Sequence, residues 1–192
     1  MLIGLTGGIG SGKSVISNEL RKMGYAVYDS DKEAKRLILE NEQVREKMIG
    51  LFGKEVYRDG MYQTGLVAQQ VFADSSLLAQ LNAIVHPAVK EDLLRWSHAQ
   101  MGLSKNQILF VECAILYQAG LDSVCEKVVA VTAPEEIRLA RVVARDCTDI
   151  NKVRARMRAQ EVEKDIEKAD ILINNDGKKA IPALCEEIVQ QI

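Results

Sequence analysis

The segment Gly7-Gly8-Ile9-Gly10-Ser11-Gly12-Lys13-Ser14 fits G-x-x-x-x-G-K-[ST] at every defined position, and no other stretch constrains this chain as tightly. The apolar run Leu2 to Thr6 leads into it, and Val15, Ile16, Leu20 and Met23 recur behind it at helical spacing until Gly24. The pattern predicts a strand, a tight loop and a helix that starts inside the motif. Glycines let successive N–H groups turn inward toward phosphate oxygens, and the helix N-terminus adds partial positive charge. The expected nucleotide-binding set is Gly8, Ile9, Gly10, Ser11, Gly12, Lys13, Ser14 and Val15, with Lys13 bridging the terminal phosphates of ATP and the Ser14 hydroxyl offered to Mg²⁺. A glycine turn capped by Ser11 or Ser14 is the plain alternative; motif and context together favour the phosphate loop. The glycines at 8, 10 and 12 do not make the dinucleotide pattern G-x-G-x-x-G.

The 192 residues, 47% apolar and 27% charged, suffice for one sizeable core. Acidic and basic side chains nearly cancel, 27 against 25, so no whole-chain field points to nucleic acid or an anionic membrane. The longest strongly apolar stretches, such as Ile108 to Val111, fall far short of the ~20 residues that span a bilayer. Cys113, Cys125, Cys147 and Cys185 are scattered without metal-ligand spacing. Reduced thiols and the absence of a leader pattern after Met1 give the expectation of a cytoplasmic protein.

Further strands are expected at Tyr25 to Tyr28, Ile108 to Glu112, Lys127 to Val131 and Asp170 to Asn174. Helices are expected at about Pro134 to Arg145, Asn151 to Lys168 and Lys179 to Ile192. Strands alternating with helices argue an α/β fold with a parallel, doubly wound sheet. From Asn41 to about Ala99 the pattern is mostly helical, with breaks near Gly50 to Gly53, at Arg58-Asp59-Gly60 and at His86-Pro87. That is too much helix for one crossover, so a helical insert is expected at about 40–105, within a single domain whose core is about 1–39 and 106–192.

Transfer of a terminal phosphate to a hydroxyl needs a carboxylate that accepts or orients the proton. Asp29 and Asp31, at the carboxyl end of the second expected strand, suit that role and sit beside the glycine loop if the two strands are neighbours. Capping suits them equally, since Ser30-x-x-Glu33 reads as a capping box. Arg138, Arg141 and Arg145 share one helical face, and a lid at about 138–160 that closes over the triphosphate uses Arg141 and Arg145 foremost. A solvated face paired with Glu135, Glu136 and Asp146 is the alternative. Asp149 suits the cap of the next helix. Glu112 either ends its strand or orders Mg²⁺ through water.

Several separated segments, in order, resemble the dephospho-coenzyme A kinase family: GLTGGIGSGKS at Gly4 to Ser14, Asp29 and Asp31 followed by Ala34, LNAIVHPAV at Leu81 to Val89, the arginine segment ending Arg145-Asp146, and ADILINNDG at Ala169 to Gly177. The resemblance implies a three-layer P-loop kinase core with parallel sheet, a helical substrate-binding insert and a helical lid. It implies ATP-dependent phosphorylation of the ribose 3′-hydroxyl of dephospho-coenzyme A, the last step of coenzyme A synthesis. Asp31 matches the family's catalytic aspartate, expected to act with Lys13 and Arg141. Thr6, Asp29, Asp31, Lys35 and His86 form the expected substrate set, and Asn175 joins Arg141 and Arg145 near the nucleotide. Lys35 stands where the family often has arginine, Ala114 to Gln118 replace a common P-L-L-F-E, and Thr64 replaces an insert arginine. The rivals are another small-molecule or nucleoside monophosphate kinase and a nucleotide-sensing switch; Asn151-Lys152-Val153-Arg154 lacks the aspartate of N-K-x-D, which weakens the latter.

Overall fold

A computed structural model of the chain describes residues 1–159 and 165–192. Two compact units emerge, Met1–Tyr28 with Ser97–Ile192, and Asp29–Trp96. The expected lid end at 160 and the middle of the helix expected over Asn151 to Lys168 lie outside the described residues.

The first unit is built on a five-stranded sheet of β1 (Leu2–Thr6), β2 (Ala26–Asp29), β5 (Leu109–Glu112), β6 (Lys127–Thr132) and β7 (Ile171–Asn174), in the order β2-β5-β1-β6-β7. β1 pairs in parallel with β5 (Gly4↔Val111) and with β6 (Gly4↔Val128), and β6 pairs in parallel with β7. All five residues of β1 are buried, as the continuous apolar run demands of a strand covered on both faces. On one face Ile3 and Leu5 pack with Ile16 and Leu20 of α1 (Lys13–Lys22) and with Leu184, Cys185 and Ile188 of the C-terminal helix at Ile181–Gln191. On the other, Gly4 leaves room for Leu116; a Cβ there would stand 2.7 Å from Leu116 Cδ1.

The second unit contains α2 (Ser30–Glu40), α3 (Glu42–Phe52), α4 (Thr64–Ala73) and most of α5 (Ser76–Gln100), around a core of Val44, Met48, Phe52, Val56, Tyr57 and Val67. Two local expectations change. Arg58-Asp59-Gly60 is not a simple break between helices: β3 (Tyr57–Arg58) and β4 (Met61–Tyr62) form an antiparallel hairpin turned by Asp59 and Gly60, both at positive φ (51° and 76°). That is the backbone a two-residue Asp-Gly turn supplies. His86-Pro87 breaks nothing either, because α5 runs through it with Pro87 inside. A helix-interior proline costs about 3 kcal/mol. Val85, Val89 and Leu93 along the same stretch are buried, each worth about 1.5–3 kcal/mol, and their sum exceeds that cost.

In the remainder of the first unit, α6 (Glu135–Asp146) and α7 (Ile150–Ala159) follow β6, and the C-terminal helix is numbered α8.

Candidate active site

The loop between β1 and α1 holds its shape through glycines where no side chain fits. Gly10 and Gly12 have φ of 78° and 98°, and a Cβ at Gly10 would stand 2.5 Å from the Arg138 carbonyl and 2.9 Å from Val142 Cγ2. Ile9 packs beside Leu139, Val142 and Val153, so α6 and α7 back the loop. α1 opens at Gly12 without a side-chain cap and without an acid in its first turn. With no side-chain cap and no acid of its own in that turn, the positive end of the helix suits an anion. Lys13 folds along the loop, its ammonium donating to the carbonyls of Gly7 (2.5 Å) and Gly8 (3.3 Å). Ser11 and Thr6 are buried, Ser14 and Val15 exposed.

The strand order corrects one expectation and explains a residue that the motif set omitted. β2 is not the neighbour of β1; β5 lies between them. The acid beside the loop in this sheet is thus Glu112, the last residue of β5, and Ser14 Oγ donates to Glu112 Oε1 at 2.7 Å. Glu112 is 9% exposed, and the bond ties the first turn of α1 to the carboxyl end of β5.

Asn175, 3% exposed just after β7, braces the loop from the other side. Its backbone N–H donates to the Thr132 carbonyl and its Nδ2 to the Ser11 carbonyl, both at 2.8 Å. Arg141 reaches the same Ser11 carbonyl through Nη1 (3.4 Å) and the Asn175 Oδ1 through Nη2 (3.5 Å). The three arginines that share a face of α6 diverge in use. Arg138 lies against the loop, its Nη1 2.6 Å from where a Cβ on Gly8 would be. Arg145 is exposed and held at 2.7 Å by Asp146, which Arg156 also approaches at 3.4 Å. A cleft of about 280 Å³ opens beside Gly8, lined by Val131, Thr132, Ala133, Arg138, Ile166 and Glu167. Asp149 caps α7, its Oδ1 accepting from the N–H of Asn151 at 2.8 Å.

The remaining expected site residues stand in the second unit. Asp29 is the N-cap of α2, accepting the Lys32 N–H at 3.0 Å, so the cap is Asp29 and not Ser30. Asp31 and Lys35 are exposed on α2. His86 is half-buried on α5, and burial lowers its pKa. Thr64, at the start of α4, is exposed.

The family model described as dephospho-CoA kinase matches residues 1–180. A dephospho-CoA kinase of Porphyromonas gingivalis is 41% identical over 87% of this chain and 81% of its own length, and one of Bacteroides fragilis is 40% identical over 97% and 90%. Among solved structures, a Thermus thermophilus protein superposes with a TM-score of 0.82 at 32% identity, covering 99% of this chain and 96% of that one. Acinetobacter baumannii shikimate kinase in complex with shikimate, at 16% identity, 98% and 90% coverage and a TM-score of 0.59, shares the fold alone. This chain belongs to the dephospho-CoA kinase family.

Proposed function

We propose that the loop, Glu112 and Asp31 divide the work of phosphoryl transfer. The chain is a kinase that uses ATP to phosphorylate dephospho-CoA in coenzyme A biosynthesis. The observation that supports the loop's and Glu112's share is the Ser14–Glu112 hydrogen bond at a helix start without a side-chain cap, and Asp31's share rests on its match to the family's aspartate.

In this reading the α1 N–H groups and Lys13 hold the β- and γ-phosphates, and Arg141 neutralises charge on the transferring group. The ribose 3′-oxygen attacks the γ-phosphorus, the bond to the β–γ bridging oxygen breaks, and the hydroxyl proton passes to Asp31. Lys35, His86 and Asp29 serve the acceptor, with Thr6 under the loop, and the helical unit Asp29–Trp96 carries it. Helices α6 and α7 act as the lid, and Asn175 acts on the nucleotide by fixing the Ser11 carbonyl. Four free cysteines agree with a reducing compartment such as the cytoplasm.

The residues fit Mg²⁺. A hydroxyl and a carboxylate oxygen stand 2.7 Å apart at the loop, and among the described residues no three Asp, Glu, His or Cys gather as a metal cage. Ser14 and Glu112 would hold such an ion with few protein oxygens, a donor set that suits Mg²⁺. Bound there, it would shield charge on the phosphate oxygens.

The test is a coupled assay with Mg-ATP and dephospho-CoA, run beside adenosine, nucleoside monophosphates and shikimate. Turnover with dephospho-CoA alone is expected; none with it would sink the acceptor assignment. Asp31→Asn is expected to abolish turnover while ATP binding persists, and full activity in that variant would remove Asp31 from the mechanism.

A further inference from the structure

Asp31 and Lys35 sit on one face of α2, one turn and about 40° apart. Arg36 projects about 100° further round. Its three guanidinium nitrogens meet three carboxylates: Nε with Glu33 at 2.5 Å, Nη2 with Asp92 at 2.8 Å and Nη1 with Glu40 at 3.6 Å. Glu33 and Glu40 belong to α2 and would follow Arg36 wherever the helix went. Asp92 belongs to α5. Its side chain is 15% exposed, and Arg95 approaches its other oxygen at 3.6 Å.

We propose that Arg36 and Asp92 are positioning residues, whose ion pair fixes the rotation and height of α2 on α5 and thereby where Asp31 and Lys35 stand. The inference rests on the reading of Asp31 given above. α2 is tied at its start by the Asp29 cap and at its end by the Tyr57 hydroxyl, which donates to the Ile38 carbonyl at 2.6 Å. The Arg36–Asp92 pair adds a side-chain tie to a different helix, between those two ends. It also lies where the chain enters and leaves this unit: Arg36 shortly after Asp29, Asp92 just before Trp96. Arginine suits the place because its planar fork serves several carboxylates at once, whereas lysine at the same position offers one point charge. Glu33 first, then Asp92, raise the Arg36 pKa, so the charge persists at every working pH. The arginine that the family often carries at position 35 is here a lysine, and the fork stands one residue later, turned to α5.

A displacement of reacting groups by about 1 Å can cost about a hundredfold in rate, and a partial loosening costs less. Asp92→Asn, which keeps shape and removes charge, is expected to lower kcat about tenfold while the Kd for ATP stays within about twofold and thermal unfolding shows a folded protein at the assay temperature. Asp92→Glu, which restores the carboxylate, is expected to recover most of the rate. Asp31→Asn is measured alone alongside. If Asp92→Asn keeps wild-type kcat while Asp31→Asn is inactive, the positioning inference fails and the Asp31 reading stands. If Asp31→Asn is fully active, that reading fails and takes this one with it. If Asp92→Asn loses ATP binding in step with kcat, or Asp92→Glu recovers nothing, a general structural role replaces positioning and the inference is overturned.

Discussion

Truncation of Asn175 to alanine tests whether the nucleotide loop is held from outside. In the structure Nδ2 donates to the Ser11 carbonyl at 2.8 Å in a buried setting. Removing it strands that oxygen, and an orphaned buried acceptor costs about 1–3 kcal/mol. Arg141 Nη1 remains 3.4 Å away and covers part of the loss, so about 1–2 kcal/mol is expected. For a chain of this size that lowers Tm by about 2–8 °C. The loosened loop is also expected to bind ADP about tenfold more weakly, or ~1.4 kcal/mol. Gly12→Ala attacks the same contact from the opposite side. It forces a non-glycine residue to φ of 98° and drives a Cβ into Asn175 Nδ2, with the left-handed backbone alone costing about 1–2 kcal/mol. Because Asn175→Ala clears the space into which that Cβ points, the double variant should be less destabilised than the sum of the singles, by about 1 kcal/mol. Calorimetric Tm and titration of ADP into the four proteins make the measurement. Additive losses, or an Asn175→Ala protein within about 1 °C of wild type, refute the brace.

Glu112→Gln keeps the fold but replaces a charged acceptor with an amide; kcat is expected to fall at least about tenfold and half-saturation to need more Mg²⁺, and unchanged Mg²⁺ dependence counts against the Ser14–Glu112 cation site. Burial pushes the Cys125 thiol up to about 12 and the Cys185 thiol up to about 11, whereas Cys147 is exposed. Iodoacetamide at pH 8 should therefore modify Cys147 first, read by peptide mass spectrometry, and equal labelling of Cys125 contradicts its burial. Burial lowers the pKa of His86 below its ordinary 6.5, so as pH falls the unfolded chain takes up that proton before the folded one. More protons bound in the unfolded state means stability falls with pH below about 6.5, and His86→Gln should flatten the slope of Tm between pH 7 and 5; an unchanged slope rules His86 out as its source.

What could be read from the sequence was whatever depends on neighbours along the chain. The glycine loop, the all-buried β1 and the caps at Asp29 and Asp149 follow from local chemistry, although the first of those caps falls one residue before the expected Ser30. What could not be read was lateral order and competition. The Asp29 end of β2 would border the loop only if β2 neighboured β1, and β5 enters between them and brings Glu112 there. The available signal was an acid closing an apolar run; its neighbour was not encoded locally. Arg138, Arg141 and Arg145 do share a face, yet about 10 Å of helix separates the first from the last. The loop spans only the part of α6 near Arg138 and Arg141, and Arg145, a turn beyond, is captured by Asp146. Pro87 fails as a break for the same reason that β5 intrudes: burial of Val85, Val89 and Leu93 is a tertiary quantity, and it outweighs a local preference of about 3 kcal/mol. The Arg36–Asp92 tie belongs to this second class, since its two halves lie on different helices and only their packing makes them a pair.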